Sequence, residues 1–86
     1  MWKIATHTEA VEMDGEWVIL DGERYVVTKL NEAGGFLWNR LKEGATLGML
    51  VGAMTEEYDI TEAQAKTDIL VFIDHLISCS LVEQIA

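Results

Sequence analysis

The chain has 86 residues, half of them hydrophobic, no proline, and a formal charge of −9 from 15 acidic and 6 basic side chains. That length suits one small domain, residues 1–86, and leaves too little interior for a deep catalytic cavity, so size favours binding over chemistry. The negative field repels phosphate backbones and anionic headgroups and argues against nucleic acid and membrane partners. A single cysteine, Cys79, cannot form an internal disulfide, and no N-terminal apolar run resembles a signal peptide or a spanning helix, so a soluble cytoplasmic protein is expected.

Two Asp-Gly dipeptides, Asp14-Gly15 and Asp21-Gly22, separate stretches rich in alternating or β-branched residues. Asp-Gly favours two-residue hairpin turns because both central positions need positive φ. The pattern predicts a three-stranded antiparallel meander with strands at Thr8 to Met13, Glu16 to Leu20 and Glu23 to Leu30. With two-residue loops, Val11 opposes Val18 and Val18 opposes Tyr25. Val11, Met13, Val18, Leu20, Tyr25 and Val27 then share one face, which is expected to meet the core. Glu12, Trp17, Ile19, Arg24, Val26 and Thr28 fall on the other.

At Asn31 the apolar period lengthens to that of a helix, with Ala33, Phe36, Leu37 and Leu41 on one stripe and Asn31 placed to cap the first turn. This helix should end near Gly44. Gly34 and Gly35 weaken it and are expected to allow close approach to the sheet. Thr46 caps a second helix carrying Leu47, Leu50, Val51 and Met54, which stops around Tyr58-Asp59. The motif T-E-A-Q at Thr61 reads as a capping box opening a third helix, Glu62 to about Ser78. Ala65, Ile69, Phe72, Ile73 and Leu76 form its core stripe, while Lys66, Leu70, Ile73 and Ile77 form a second stripe that needs other cover. The expected class is α+β: a winged helix-turn-helix-like order of three strands followed by three helices and a short return.

In a meander the first and third strands have free edges, and soluble proteins blunt such edges with charge, proline, bulges or a covering element. The first carries Glu9 and Glu12; the third reads Tyr25-Val26-Val27-Thr28 with charge only near its ends. Three readings follow. A partner peptide adds to the third strand, residues 1–6 or the C-terminal tail cover it, or the strand is simply short with Lys29 as its gatekeeper.

The runs LNEAGGFLWNRLKEG, EEYDIT and DILVFIDHLISCSLV resemble the PqqD-like family, the precursor-recognition domains named for pyrroloquinoline quinone biosynthesis protein D. Leu30-Asn31, Gly34, Trp38, Gly44, Tyr58, Asp68, Phe72, Leu76 and Leu81-Val82 carry the likeness, which spans about residues 9 to 83. Ala33 departs from it where many relatives have Thr or Ser. The resemblance implies a non-catalytic element without a cofactor or metal that binds the leader segment of a ribosomally made peptide. The leader would add as a strand along the third strand, beside the third helix. Carried over by position, the peptide site comprises Tyr25, Val26, Val27, Thr28, Lys29 and Leu30 with Lys66, Ile69, Leu70, Ile73, Asp74 and Ile77. A free-standing chain of this length resembles the discrete version found in lasso-peptide pathways, working beside a leader peptidase and a cyclase. A PqqD-type chaperone for a radical SAM enzyme has a similar size.

Competing readings are weaker. Cys79 lies one helical turn after His75 beside Asp74, but the local sequence offers no cation other than His75 to activate the thiol, so a structural cysteine is expected. A metal site on His7 and His75 lacks further support. A winged-helix DNA-binding regulator needs a basic third helix, and this one sets Lys66 against Glu62, Asp68 and Asp74. Trp2, Trp17 and Trp38 are assigned to packing. The acidic stretches EAVEMDGE and TEEYD read as solvated surface, with contact to a basic patch on a downstream enzyme as the other use.

Overall fold

A computed structural model describes residues 1–85. The order is β1 (Trp2–Ile4), β2 (Thr8–Met13), β3 (Glu16–Asp21), β4 (Val26–Leu30), α1 (Glu32–Leu41), α2 (Leu47–Glu57), α3 (Glu62–Ser78) and β5 (Val82–Gln84). The class is α+β. A three-stranded antiparallel sheet runs β2-β3-β4, and the two terminal strands, β1 and β5, pair antiparallel as a second small sheet. The meander and the three helices match the sequence expectation; the separate β1-β5 ribbon was not foreseen.

Asp14 and Gly15 both have positive φ, 51° and 82°, as a two-residue hairpin turn requires, and Val11 does pair with Val18. The second Asp-Gly behaves differently. Asp21 remains in β3 and its Oδ1 accepts hydrogen bonds from the Glu23 and Arg24 amides at 2.9 and 3.1 Å, which closes a longer loop through Tyr25. Tyr25 takes the left-handed conformation, φ 57°, and its N–H donates to the Asp21 carbonyl. An aspartate that satisfies its own turn in this way no longer demands a two-residue loop. The third strand therefore starts at Val26 rather than Glu23, and Val18 pairs with Lys29, not Tyr25.

The core lies on the opposite face from the one expected. Ile19 is fully buried and Trp17 and Thr28 are partly covered, whereas Val11, Met13, Tyr25 and Val27 are exposed. The reason is steric. A Cβ on Gly35 would overlap the Trp17 indole, so α1 sits directly on the face that carries Trp17, and that face also presents Leu30, paired with Trp17 across the ladder. Both glycines of α1 are buried, and Gly34 would bring a Cβ within 3.1 Å of the Leu30 side chain and 3.3 Å of Phe72. They permit close approach of helix to sheet, as their position suggested.

The helix caps follow the sequence. The Asn31, Thr46 and Thr61 side chains accept from the amides of Gly34, Met49 and Gln64. At Thr61 only half of the expected reciprocal box forms, because the Gln64 side-chain amide donates forward to Asp68 at 2.8 Å. Helix α1 ends at Leu41, a turn before Gly44, whose φ of 92° redirects the chain toward Ala45. Ser80 at φ 59° ends α3: its N–H donates to the Ile77 carbonyl and that of Leu81 to Leu76, the paired bonds of a Schellman motif. Leu81 is thereby turned into the core with Leu76, Ile69, Ile73, Trp38, Leu41 and Leu50.

Two glycine substitutions test this packing. Gly52 in α2 is exposed with no heavy atom near its missing Cβ, so Gly52→Ala should stabilise by about 1 kcal/mol through helix propensity alone. Gly35→Ala should instead destabilise by about 1 to 3 kcal/mol, because displacing Trp17 outweighs the same propensity gain. Denaturant unfolding of both variants decides the point, and equal stabilisation would refute the close approach.

Candidate functional site

Strand β4 has one neighbour. Among the described residues it pairs only with β3, so the backbone groups of alternate residues point away from the sheet. Among the described residues neither β1 nor β5 covers them. Trp2, Lys3 and Ile4 pair with Gln84, Glu83 and Val82, and the other side of β1 bonds to Ala45, whose N–H and C=O exchange 2.9 and 2.8 Å hydrogen bonds with Trp2. Among the described residues, cover of this edge by residues 1–6 or by β5 is not what the structure shows, while β4 is a short strand of five residues with Lys29 exposed.

The inward face of β4 is progressively uncovered along its length. Leu30 is 7% exposed, Thr28 half-buried and Val26 49% exposed, although all three side chains point to the side on which the core lies. The core beneath Leu30 is shared with Ile69 and Ile73 of α3, which are buried. Beyond them Leu70 and Ile77 are exposed, with Lys66 and Asp74 on the same flank of the helix. Val26 and Thr28 thus leave the inward side of β4 partly open, and Leu70 and Ile77 leave a flank of α3 open.

The twelve expected residues thus divide. Val26, Thr28, Leu70 and Ile77 are available apolar or half-buried surface; Lys66 and Asp74 are exposed on the α3 flank. Leu30, Ile69 and Ile73 belong to the core and are not open contacts. Val27 and Lys29 lie on β4 but aim their side chains to the outer face, so only their backbone can serve the edge. Tyr25, 90% exposed, stands in the loop rather than the strand. Arg24, Lys29 and Lys66 are exposed, and among the described residues no lysine or arginine lies within salt-bridge distance of a carboxylate.

A hollow of about 240 Å³ lies between α1 and α3, lined by Asn31, Ala33, Gly34, Leu37, Asp68 and Phe72 together with Met54 and by none of the twelve residues. Sequence periodicity had placed Phe72 in the core stripe. It is partly exposed, packed against the core while lining this hollow. A larger hollow, about 500 Å³, lies between the end of α1 and α2, and none of the twelve residues lines it.

Residues 16–82 match the family model described as coenzyme PQQ synthesis protein D, which covers most of the chain. The chain belongs to the PqqD family. Among solved structures it is similar to TbiB1 in complex with the TbiA(beta) leader peptide, with a TM-score of 0.89 and 26% identity over 98% of each chain. It also shares the fold of lasso peptide synthetase B1 complexed with the leader peptide, at a TM-score of 0.85 and 20% identity over 96% of this chain and 98% of that one. No curated protein sequence matches it.

Residues outside the edge are arranged without an evident reaction centre. Cys79 caps α3 through its backbone, donating to the His75 carbonyl, and His75 is exposed. Among the described residues no three His, Cys, Asp or Glu side chains cluster as a metal site, and no helix is long and apolar enough to cross a membrane.

One site-supporting residue escaped the sequence reading. Asp21 is almost fully buried at the end of β3, directly across from Val26, with His7 Nε2 3.7 Å from its Oδ1. Its burial works against ionisation, but the Arg24 and Glu23 amides, with the nearby His7 and Arg24 charges, outweigh that and hold its pKa below the ordinary 3.8. In this PqqD-family chain Asp21 therefore fixes where β4 begins. A carboxyl with a lowered folded pKa stabilises above its unfolded value and loses that contribution as pH falls through the folded one. Asp21→Asn should melt below wild type at neutral pH, with a constant gap down to about pH 4 that closes in stronger acid. Melting curves across pH check this; a gap that persists unchanged at the acid end would show that the charge is not what matters.

Proposed function

We propose that this protein binds the leader segment of a ribosomally made, post-translationally modified peptide, of the lasso type, by strand addition to β4. The observation that carries the reading is the free edge of β4, partly open on its inward side at Val26 and Thr28, with β1 and β5 paired to each other and not to it. An extended leader satisfies the outward backbone groups. Its alternate side chains cover Val26, Thr28, Leu70 and Ile77, while Leu30, Ile69 and Ile73 stay in the core. The likeness to two leader-peptide complexes, one at 26% identity over nearly the full length, supports it.

The protein contributes no bond-making group of its own in this reading. It raises the effective concentration of the peptide's core segment at a leader peptidase or cyclase, so catalysis belongs to the partner. The chain acts as one peptide-recognition domain over residues 1–86, in the cytoplasm where precursor peptides are made. The exposed side of α3 sets Lys66 among Glu62, Asp68 and Asp74, a poor match for a phosphate backbone.

The direct test is titration of the leader peptide encoded beside this chain against wild type, Val27→Pro and Thr28→Pro. Adjacent residues of an edge strand point their N–H groups in opposite directions. One substitution removes a donor that serves the leader, and the other breaks the ladder to β3. The edge-facing variant should fold and lose about tenfold or more in affinity, a loss of about 1.4 kcal/mol. Ile77→Glu and Leu70→Glu should weaken binding with the fold intact, by burying a charge against the leader. Full leader affinity in every folded variant would remove the edge as the site. Cys79→Ala should leave processing of the precursor unchanged.

A further inference from the structure

Among the described residues no element covers the outer face of the three-stranded sheet, which carries an apolar patch. In the register Val11 lies beside Val18 and Leu20 beside Val27, with Met13 next along β2. Ile19 and Trp17 alternate with these residues and point to the helices, so the five point away from the core. Met13 is 60% exposed, Val27 58% and Val11 44%, and Val18 and Leu20 are only partly covered. An antiparallel sheet with one solvated face normally carries polar side chains there. A contiguous apolar patch in that position marks an interaction surface.

The charges around the patch decide what fits it. Glu9 pairs across from Leu20 and Glu16 from Met13; the exposed Asp14 lies in the loop at one end of β3, and the exposed Glu23 sits next to Arg24 in the loop at the other. Lys29, beside Val18, is the lone cation on that face. A second copy of the chain would set one acidic rim against another, each on a molecule of charge −9, and repel. The complementary surface has an apolar centre and a rim of lysine and arginine. The patch is also continuous with β4, since Val27 contributes its backbone to the edge and its side chain to the outer face.

We infer that the outer sheet face, centred on Val11, Met13, Val18 and Leu20, docks a basic-rimmed surface of the enzyme that processes the peptide held on β4. This inference rests on the leader-binding reading for the identity of the enzyme, but it uses a different set of side chains. Docking there holds the enzyme next to the captured strand without competing for the edge.

The experiment uses the full chain and the leader peptidase encoded with its precursor. Binding of the peptidase is measured for wild type, the Val11→Lys/Met13→Lys double variant and the Glu9→Lys/Glu16→Lys double variant, with leader titration on the same samples. Both pairs are exposed, so folding should survive. Both should weaken peptidase binding by about tenfold or more, and wild-type binding should weaken with added salt. Leader affinity should change by less than about twofold in either variant, since the sites do not share partners. Wild-type leader binding with peptidase affinity unchanged in both variants overturns the docking face and leaves the leader reading intact. Absence of leader binding in wild type overturns that reading instead. A wild-type dimer in sedimentation that the Val11→Lys/Met13→Lys variant dissociates would assign the face to a second copy and overturn the proposal.

Discussion

A backbone hydrogen bond made with one strand is lost to every other, and the site depends on how the terminal strands use theirs. Trp2, Lys3 and Ile4 pair with β5 on one side, and on the other Trp2 exchanges hydrogen bonds with Ala45. The Schellman turn at Ser80 directs the chain after α3 into that ribbon, with the Ala5 amide also donating to Leu81. The segments best placed to blunt the β4 edge are thereby committed elsewhere. The openness of β4 is a property of the whole chain's connectivity rather than of the strand's own residues.

The second constraint is the contact between Trp17 and Gly35. It fixes which side of the sheet receives α1, hence which of two apolar sets becomes core and which becomes surface. Once Trp17 is under α1, pairing through the ladder sends Ile19 and Leu30 inward and Val11, Val18 and Lys29 outward. Leu30 leads directly into the Asn31 cap, so the end of β4 is held rigidly while its beginning at Val26 stays uncovered. For the proposed added strand, the capped end would set the register and the uncovered end would leave apolar surface to bury.

Much of this was legible in the sequence because local signals acted alone. Asn31, Thr46 and Thr61 cap helices by contacts three residues away, and the Ala65-Ile69-Ile73-Leu76 stripe is buried as its period requires. The Asp14-Gly15 turn also depends only on its own dihedrals. What failed depended on distant partners or competing side-chain bonds. Asp21-Gly22 has the same dipeptide, yet the Asp21 carboxylate captured two loop amides and moved Tyr25 out of the strand. The face of the sheet was ambiguous because both faces carry large apolar residues, and periodicity cannot say which one α1 covers. The open edge was visible as a liability, while the fate of residues 1–6 required a partner more than seventy residues away.

That ambiguity itself carries information. A sheet with only one face to bury would have shown clean alternation, and the assignment would have been simple. Here Val11, Met13, Val18, Leu20 and Val27 form a second apolar set that folding leaves uncovered, bordered by carboxylates that favour a basic neighbour over a second copy. The edge and the outer face of β4 present different chemistry, backbone donors and acceptors on one and aliphatic side chains on the other. A strand that offers both can hold an extended peptide and a protein surface at once, within a single residue's reach at Val27. On the proposed reading, that arrangement would convert two separate encounters into one intramolecular step at the partner enzyme.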